Sequence, residues 1–358
     1  MATLSEKSTF IGAVNVSSTE VKCPGCGASI GLKYDPETLN MTCPFCGLVS
    51  QLPNPGSSPA VQELDFNSAL QRASVNWGNI KKLIVCANCG GQTVFDAEQV
   101  TGACPFCGST SVTPAAENSQ IMAPQAVIPF GIAKEQTQLC FENFINSSHV
   151  ASRKVYGCKL ENVVGIYLPF WTYDALTVSN YFAHTMETRY QPSQNFSGVL
   201  NKYYDDLVIY GSDKIRHPHI KRVQDFDFQR MVPYTAKYLA GIPAERYTVG
   251  LNDGWERAKE QIREKTKRIL NRKFFMKATI DAINYSFYNV KFRYVLAPIY
   301  LATYKCGRQT FPVAINGQTG KTYCKYPTFL GKLVVIPLIV ILAVLTLFFF
   351  AVIAPELR

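Results

Sequence analysis

Twelve cysteines stand in this 358-residue chain, and eight of them are spaced to hold metal. Cys23-Pro-Gly-Cys26-Gly is followed by Cys43-Pro-Phe-Cys46-Gly. A second set reads Cys86-Ala-Asn-Cys89-Gly and Cys104-Pro-Phe-Cys107-Gly. Two residues between cysteines let one tight turn aim both sulfurs at a single ion. The glycine after each pair tolerates the left-handed backbone such a knuckle needs. Each set predicts one four-thiolate site: Cys23, Cys26, Cys43 and Cys46 in the first, Cys86, Cys89, Cys104 and Cys107 in the second. Zn2+ is the expected ion at both, as a structural centre without an open coordination position. Rubredoxin-like iron is the second option, since tetrahedral sulfur suits both metals. A ribbon of about 30 residues buries little core, so the metal is expected to supply most of its folding energy.

The remaining chemistry-bearing residues assemble no active site. Cys140, Cys158, Cys306 and Cys324 fall outside the ribbons and read as free buried thiols. His149, His184, His217 and His219 lack metal-protease spacing, and Asp205-Asp206 and Asp225/Asp227 are acidic doublets without evident partners. Residues 316–321 (NGQTGK) end like a phosphate loop, but the first glycine of that motif would fall on Ile315. Apolar strands on both sides make the segment a hairpin turn instead. No nucleophile elbow or dinucleotide fingerprint is present. No catalytic residue is assigned, and the chain is expected not to be an enzyme.

The elements that must position the cysteines follow from composition shifts. Residues 1–20 are polar, read as disordered, and have no signal-peptide pattern. The first ribbon covers 21–52, and a Pro/Gly/Ser linker with a helix over 61–77 fills 53–82. The second ribbon covers 83–112, and a linker covers 113–124. From 125 to 331 the pattern predicts an α+β body with an antiparallel sheet. A strand ending in glycine and followed by a helix recurs, which suggests repeat units at 125–240 and 241–331. The helix over 252–273 is expected to be capped by Asn252 or Asp253 and to turn Trp255, Ala258, Ile262 and Ile269 inward. Its Glu and Lys/Arg residues at three- and four-residue spacing read as a solvated face.

The run over 333–354 carries no charge and only Thr346 as a polar residue. It is long enough for a bilayer, and predicts one C-terminal transmembrane helix over 332–354, hence a tail-anchored protein. Lys321, Lys325 and Lys332 precede it, which by the positive-inside rule places the body in the cytoplasm, on a single-pass anchor in the cytoplasmic (inner) membrane. A reducing compartment favours metal ligation over disulfides. The formal charge is +10; two thiolate sites lower it to about +6. That excess fits nucleic acid, an anionic lipid face, or the ordinary lysine bias of a cytoplasmic membrane protein. Only Lys22, Lys33, Lys81 and Lys82 lie in or beside the ribbons, which weakens the nucleic-acid reading. Phe45 and Phe106 at the knuckle tips can stack on a base, pack on a partner, or cap their own ribbon.

The double CPxCG ribbon, Tyr167-Leu-Pro-Phe-Trp-Thr-Tyr-Asp-Ala175, Glu245-Arg-Tyr-Thr-Val with Trp255-Glu-Arg-Ala, and Asn316-Gly-Gln-Thr-Gly-Lys321 together resemble a bacterial family of membrane-anchored double zinc-ribbon proteins. Its members often carry names borrowed from the primosomal (replication-restart) helicase or from TFIIB-type zinc ribbons. This chain has no helicase motif, so the ribbon alone would carry such a name. The resemblance implies association with band-7 or phage-shock-type membrane proteins. The resulting expectation is a non-enzymatic, zinc-binding adaptor on the membrane's cytoplasmic face that recruits protein partners in membrane stress or organisation. The alternative is a membrane-tethered nucleic-acid-binding protein.

Overall fold

The computed structural model describes residues 23–28, 32–36, 38–52, 61–69, 81–87, 92–96, 104, 109–110, 112–115, 122–148, 151–187, 192–213, 217–274, 278–327, 339–344 and 346. The expected disorder of 1–20 and residues 70–77 of the helix expected over 61–77 lie outside those residues; within the described part of that helix, Leu64–Asp65 is a short strand and only Phe66–Ala69 is helical. The chain forms two compact units. The first takes Met1–Gly131, Gly165–Arg216 and Phe226–Ile299, the second Ile132–Val164, His217–Asp225 and Tyr300–Arg358.

Long antiparallel strands dominate the first unit. Leu160–Thr185 pairs with Asn195–Tyr210 from His184↔Asn195 to Phe170↔Tyr210. Its stretch from Ile166 to Ala175 is buried at every position, as expected of a strand covered on both faces. The third long strand, Ala278–Cys306, lies beside the first. The helix Leu251–Lys273 buries Trp255, Ala258, Ile262, Thr266 and Leu270, close to the expected stripe. Its N-cap is Gly250, with no side-chain cap, rather than Asn252 or Asp253. Gly254 permits close approach, because a Cβ there would meet the Tyr173 hydroxyl and Trp171. Tyr173 donates to the Leu251 carbonyl (2.7 Å) and Trp171 to that of Val249 (2.9 Å). Outward, Glu256–Lys259, Glu260–Arg263 and Glu264–Arg268 form the solvated pairs that the spacing predicts.

In the second unit, the helix Thr137–Asn146 buries Phe141 and Ile145. Phe141 packs 5.0 Å from Tyr304, and Phe144 lies 5.9 Å from Tyr323. The hairpin Gln309–Asn316 and Thr322–Cys324 pairs antiparallel. Asn316 caps its turn by accepting from the Gln318 and Thr319 N–H groups at 2.8 and 3.0 Å. Residues 316–321 thus turn a hairpin, with Gly320 in the left-handed region (φ 75°).

The expected transmembrane helix over 332–354 requires correction, and with it the tail-anchored placement in the cytoplasmic membrane. Among the described residues no helix is long and apolar enough to cross a membrane. Of that run, residues 339–344 and 346 are described and helical, and the rest lie outside the described residues. Six helical residues rise about 9 Å, against about 30 Å of hydrocarbon. Side-chain hydropathy made the expectation, whereas a span needs about 20 residues in one unbroken hydrogen-bonded helix. The described side chains Ile339, Val340, Ile341, Leu342 and Val344 are exposed.

Candidate metal centre

The first ribbon is a small three-stranded antiparallel sheet, Lys33–Asp35, Asn40–Thr42 and Val49–Gln51, flanked by two cysteine turns. The turns are near copies. Cys23 N–H donates to the Ala28 carbonyl (2.8 Å) and Gly27 N–H to that of Cys23 (2.9 Å). Cys43 N–H likewise donates to Leu48 (2.9 Å) and Gly47 N–H to Cys43 (3.0 Å). Gly27 and Gly47 stand at φ 73° and 71°, so each glycine of CPxCG is required by its backbone.

These turns bring together all four thiols of the first set. The sulfurs of Cys23, Cys26, Cys43 and Cys46 lie within 4.8 Å of one another. Cys23 and Cys46 are 3.4 Å apart, Cys26 and Cys43 3.6 Å. A tetrahedral ion with sulfur at about 2.3 Å would hold its ligands about 3.8 Å apart. All four are free cysteines. The first cysteine of each pair is buried and the second exposed. Backbone N–H groups of Cys26 and then, against burial, Gly25 draw the Cys23 thiol down to about 6. The Leu48 N–H favours ionisation of Cys46, yet the neighbouring Cys23 and burial push it up to about 12. Clustered thiols cannot all ionise unaided; a divalent cation at their centre relieves that repulsion. The donor set and its spacing fit a four-thiolate metal.

In the second set, Cys86 and Cys104 are described and Cys89, Phe106 and Cys107 are not. Both described cysteines are buried, as their counterparts Cys23 and Cys43 are. Cys104 N–H donates to the Ser109 carbonyl at 2.7 Å. The bond spans five residues, the same reach as Cys23 to Ala28 and Cys43 to Leu48. Cys86 ends the strand Lys81–Cys86, which pairs with Gln92–Asp96 and with Val112–Ala115.

Both ribbons are docked on one short segment, which the sequence reading missed. Ala240 belongs to the core of Cys23, Leu32, Met41 and Cys43. Tyr34 packs edge-on against Tyr238 at 5.8 Å, and Gly241, at φ 72°, passes close to the Leu32 carbonyl. A few residues on, Ala244–Glu245 pairs antiparallel with Thr93 and Val94 of the second ribbon, and Ala244 pairs with Tyr167 of the long strand. Residues 238–245 (YLAGIPAE) are mixed in type and without periodicity, so nothing in their composition announces a hub.

A second cluster of ligand-type residues joins Glu63, Asp174 and Asp205, whose carboxylates lie within 4.8 Å of one another. A bulge between Tyr204 and Leu207 turns Asp206 into the same place, where its N–H donates to Asp174 (2.7 Å). The Asp205-Asp206 doublet therefore has partners: buried Arg293 reaches Asp206 at 2.5 Å, Glu63 at 3.5 Å and Asp174 at 4.0 Å, and Lys291 reaches Glu63 at 3.0 Å. Burial, and then the Glu63 carboxylate, push Asp174 up to about 7. Two cations of the chain's own, Arg293 and Lys291, offset part of the charge of these four carboxylates, so the cluster reads as an internal ion-pair network.

Among the described residues, the other candidates join neither cluster. His184 bonds Asp281 at 2.8 Å. His217 and His219 pack edge to face at 5.6 Å, and burial drives His217 down to about 4. Asp225 pairs with Lys321 at 2.9 Å, and Asp227 accepts from the Gln229 N–H. His149 lies outside the described residues.

The chain is similar to an uncharacterised protein of Bacillus subtilis strain 168, YdjG, at 26% identity over 324 residues, covering 87% of this chain and 91% of the relative. No family model and no solved structure matches it.

Proposed function

We propose that the chain is a zinc-binding adaptor whose ribbons recruit a protein partner. Zinc is the ion favoured by four thiolates at tetrahedral spacing, since such closed sites are structural and need no redox partner. Cys23, Cys26, Cys43 and Cys46 hold one ion. Cys86, Cys89, Cys104 and Cys107 hold a second, by the same spacing and the repeated backbone bond at Cys104. A closed site leaves no position for substrate, so the ribbons act by shape.

The observation that carries this reading is the tip of the first ribbon. Phe45 is 67% exposed, with Val49 at 53% and Leu48 at 38% beside it in the chain. Phe45 therefore does not cap its own ribbon. An aromatic side chain on the turn and two aliphatic ones where the chain leaves it supply the kind of apolar anchor that protein interfaces use. Residues 34–52 carry no lysine or arginine, whereas a phosphate-binding surface would need them.

The test uses the full chain. Metal analysis should return about two zinc ions per chain, falling by one with Cys43→Ser. A photo-crosslinker placed at Leu48 should trap a protein in cells, and Phe45→Asp should abolish that adduct while zinc content stays at two. Adducts unchanged by Phe45→Asp would remove the tip from the interface. Retention on DNA or RNA that falls steeply with salt would instead install the nucleic-acid reading.

A further inference from the structure

Four cysteines remain outside the ribbons, and two of them, both in the second unit, share one acceptor. Cys158 Sγ lies 3.4 Å from the Lys154 carbonyl oxygen, and Cys306 Sγ lies 3.5 Å from the same atom. Burial, and then the charge of the nearby Cys306 sulfur, hold the Cys158 thiol above its ordinary value. The backbone explains the meeting. Thr303 donates to the Glu161 carbonyl (3.4 Å), and Lys305 pairs with the Glu161 carboxylate (3.1 Å). Cys158 stands three residues before Glu161 and Cys306 three after Thr303, so the two close the end of this contact. Both are free thiols. Cys158 is partly exposed and Cys306 is 9% exposed, which makes Cys158 the more accessible of the two. Gly157, at φ 84° with nothing within 4 Å of a Cβ position, leaves the turn before Cys158 room to adjust.

We propose that Cys158 and Cys306 are a disulfide-forming pair, oxidised by a hydroperoxide. The Cys158 thiolate attacks the peroxide's terminal oxygen. The O–O bond breaks, the alcohol or water leaves with the proton, and Cys158 becomes the sulfenic acid. The Cys306 sulfur then attacks the Cys158 sulfur. The S–O bond breaks, water leaves, and the S–S bond forms, two electrons having passed from the dithiol to the peroxide. An external dithiol reverses the reaction by exchange. The product ties the turn before one long strand to the end of another. Burial raises the Cys158 thiol above its ordinary value, so the reaction is slower than at an activated peroxidatic cysteine.

Trypsin provides a direct reading, because cleavage after Lys154, Lys159, Lys305 and Arg308 releases residues 155–159 (VYGCK) and 306–308 (CGR). The zinc-loaded full chain is treated with a few equivalents of hydrogen peroxide, alkylated and digested without reduction. The expected product is VYGCK joined to CGR, two hydrogens lighter than the separate peptides, in most chains and lost after dithiothreitol. Cys306→Ser should leave Cys158 as a sulfenic acid that a dimedone probe traps. The proposal is overturned if wild-type chains keep both peptides separate after treatment, or if Cys158 is found joined to another cysteine. The wild-type digest decides the matter even where a variant fails to fold.

Discussion

Glu245 offers a sharp test of how the ribbon-bearing segment is built into the sheet. Its side chain is fully buried, with the Ser212 hydroxyl donating to one oxygen at 2.5 Å and the Tyr210 hydroxyl to the other at 3.2 Å. Burial outweighs both bonds and pushes the carboxyl from 4.5 to about 8. In the unfolded chain the group ionises near 4.5. Between the two values the folded state binds more protons than the unfolded one, so stability falls as pH rises. A shift of this size, at about 1.4 kcal/mol per unit, takes about 3 kcal/mol from the fold between pH 5 and pH 8. Glu245→Gln keeps a neutral group able to bond both hydroxyls and removes the titration. Urea unfolding of zinc-saturated wild type and variant, followed by tryptophan fluorescence at pH 5, 6, 7 and 8, measures the difference. The variant's advantage should grow by about 3 kcal/mol across that range. Asp174 also titrates upward-shifted, near 7, but it is common to both chains and cancels. A difference flat to within about 0.5 kcal/mol would mean that Glu245 is ionised in the fold and that desolvation has been overstated.

Three further outcomes follow from local geometry. Gly254→Ala would drive a Cβ into the Tyr173 hydroxyl and Trp171, and should cost about 1–3 kcal/mol in urea unfolding. Gly47→Ala meets open space but must hold φ 71°, so it should cost about 1 kcal/mol and weaken zinc retention against a competing chelator without abolishing it. Arg293→Met would strand Asp206 and Asp174 without their buried cation and should cost about 3–5 kcal/mol near neutral pH, recovering in acid as the carboxylates protonate; a pH-independent loss would mark a packing defect instead.

The cysteine centre was legible in sequence because its chemistry is local. The CPxCG spacing dictates a turn, the glycine dictates the left-handed residue, and the two turns of the first ribbon converge as expected. The inward stripe of the helix Leu251–Lys273 and the hairpin at 316–321 were legible for the same reason. Contacts between residues far apart in the chain were not. Asp206 finds Arg293 across 87 positions, and only because a bulge redirects it. Cys158 finds Cys306 across a contact between distant strands. The apolar run over 332–354 shows the opposite error. Its hydropathy speaks of side chains alone, and among the described residues no helix is long and apolar enough to cross a membrane.

The docking of both ribbons on residues 238–245 changes what loss of metal must do. A ribbon hung on a flexible linker could unfold alone and leave the body intact. Here Cys23 and Cys43 share their small core with Ala240, and Tyr34 covers Tyr238. Unfolding the first ribbon therefore uncovers part of the segment that also pairs with the second ribbon. The large aromatic core does not depend on that contact: Trp171, Tyr173, Trp255 and Phe292 pack among themselves and with Phe66. Demetallation is thus expected to loosen a contiguous layer, the first ribbon with residues 238–245, while the helix Leu251–Lys273 stays folded on its strands. A ribbon held this way presents Phe45 from a fixed position on the body, and a fixed apolar anchor binds with less ordering cost than a tethered one.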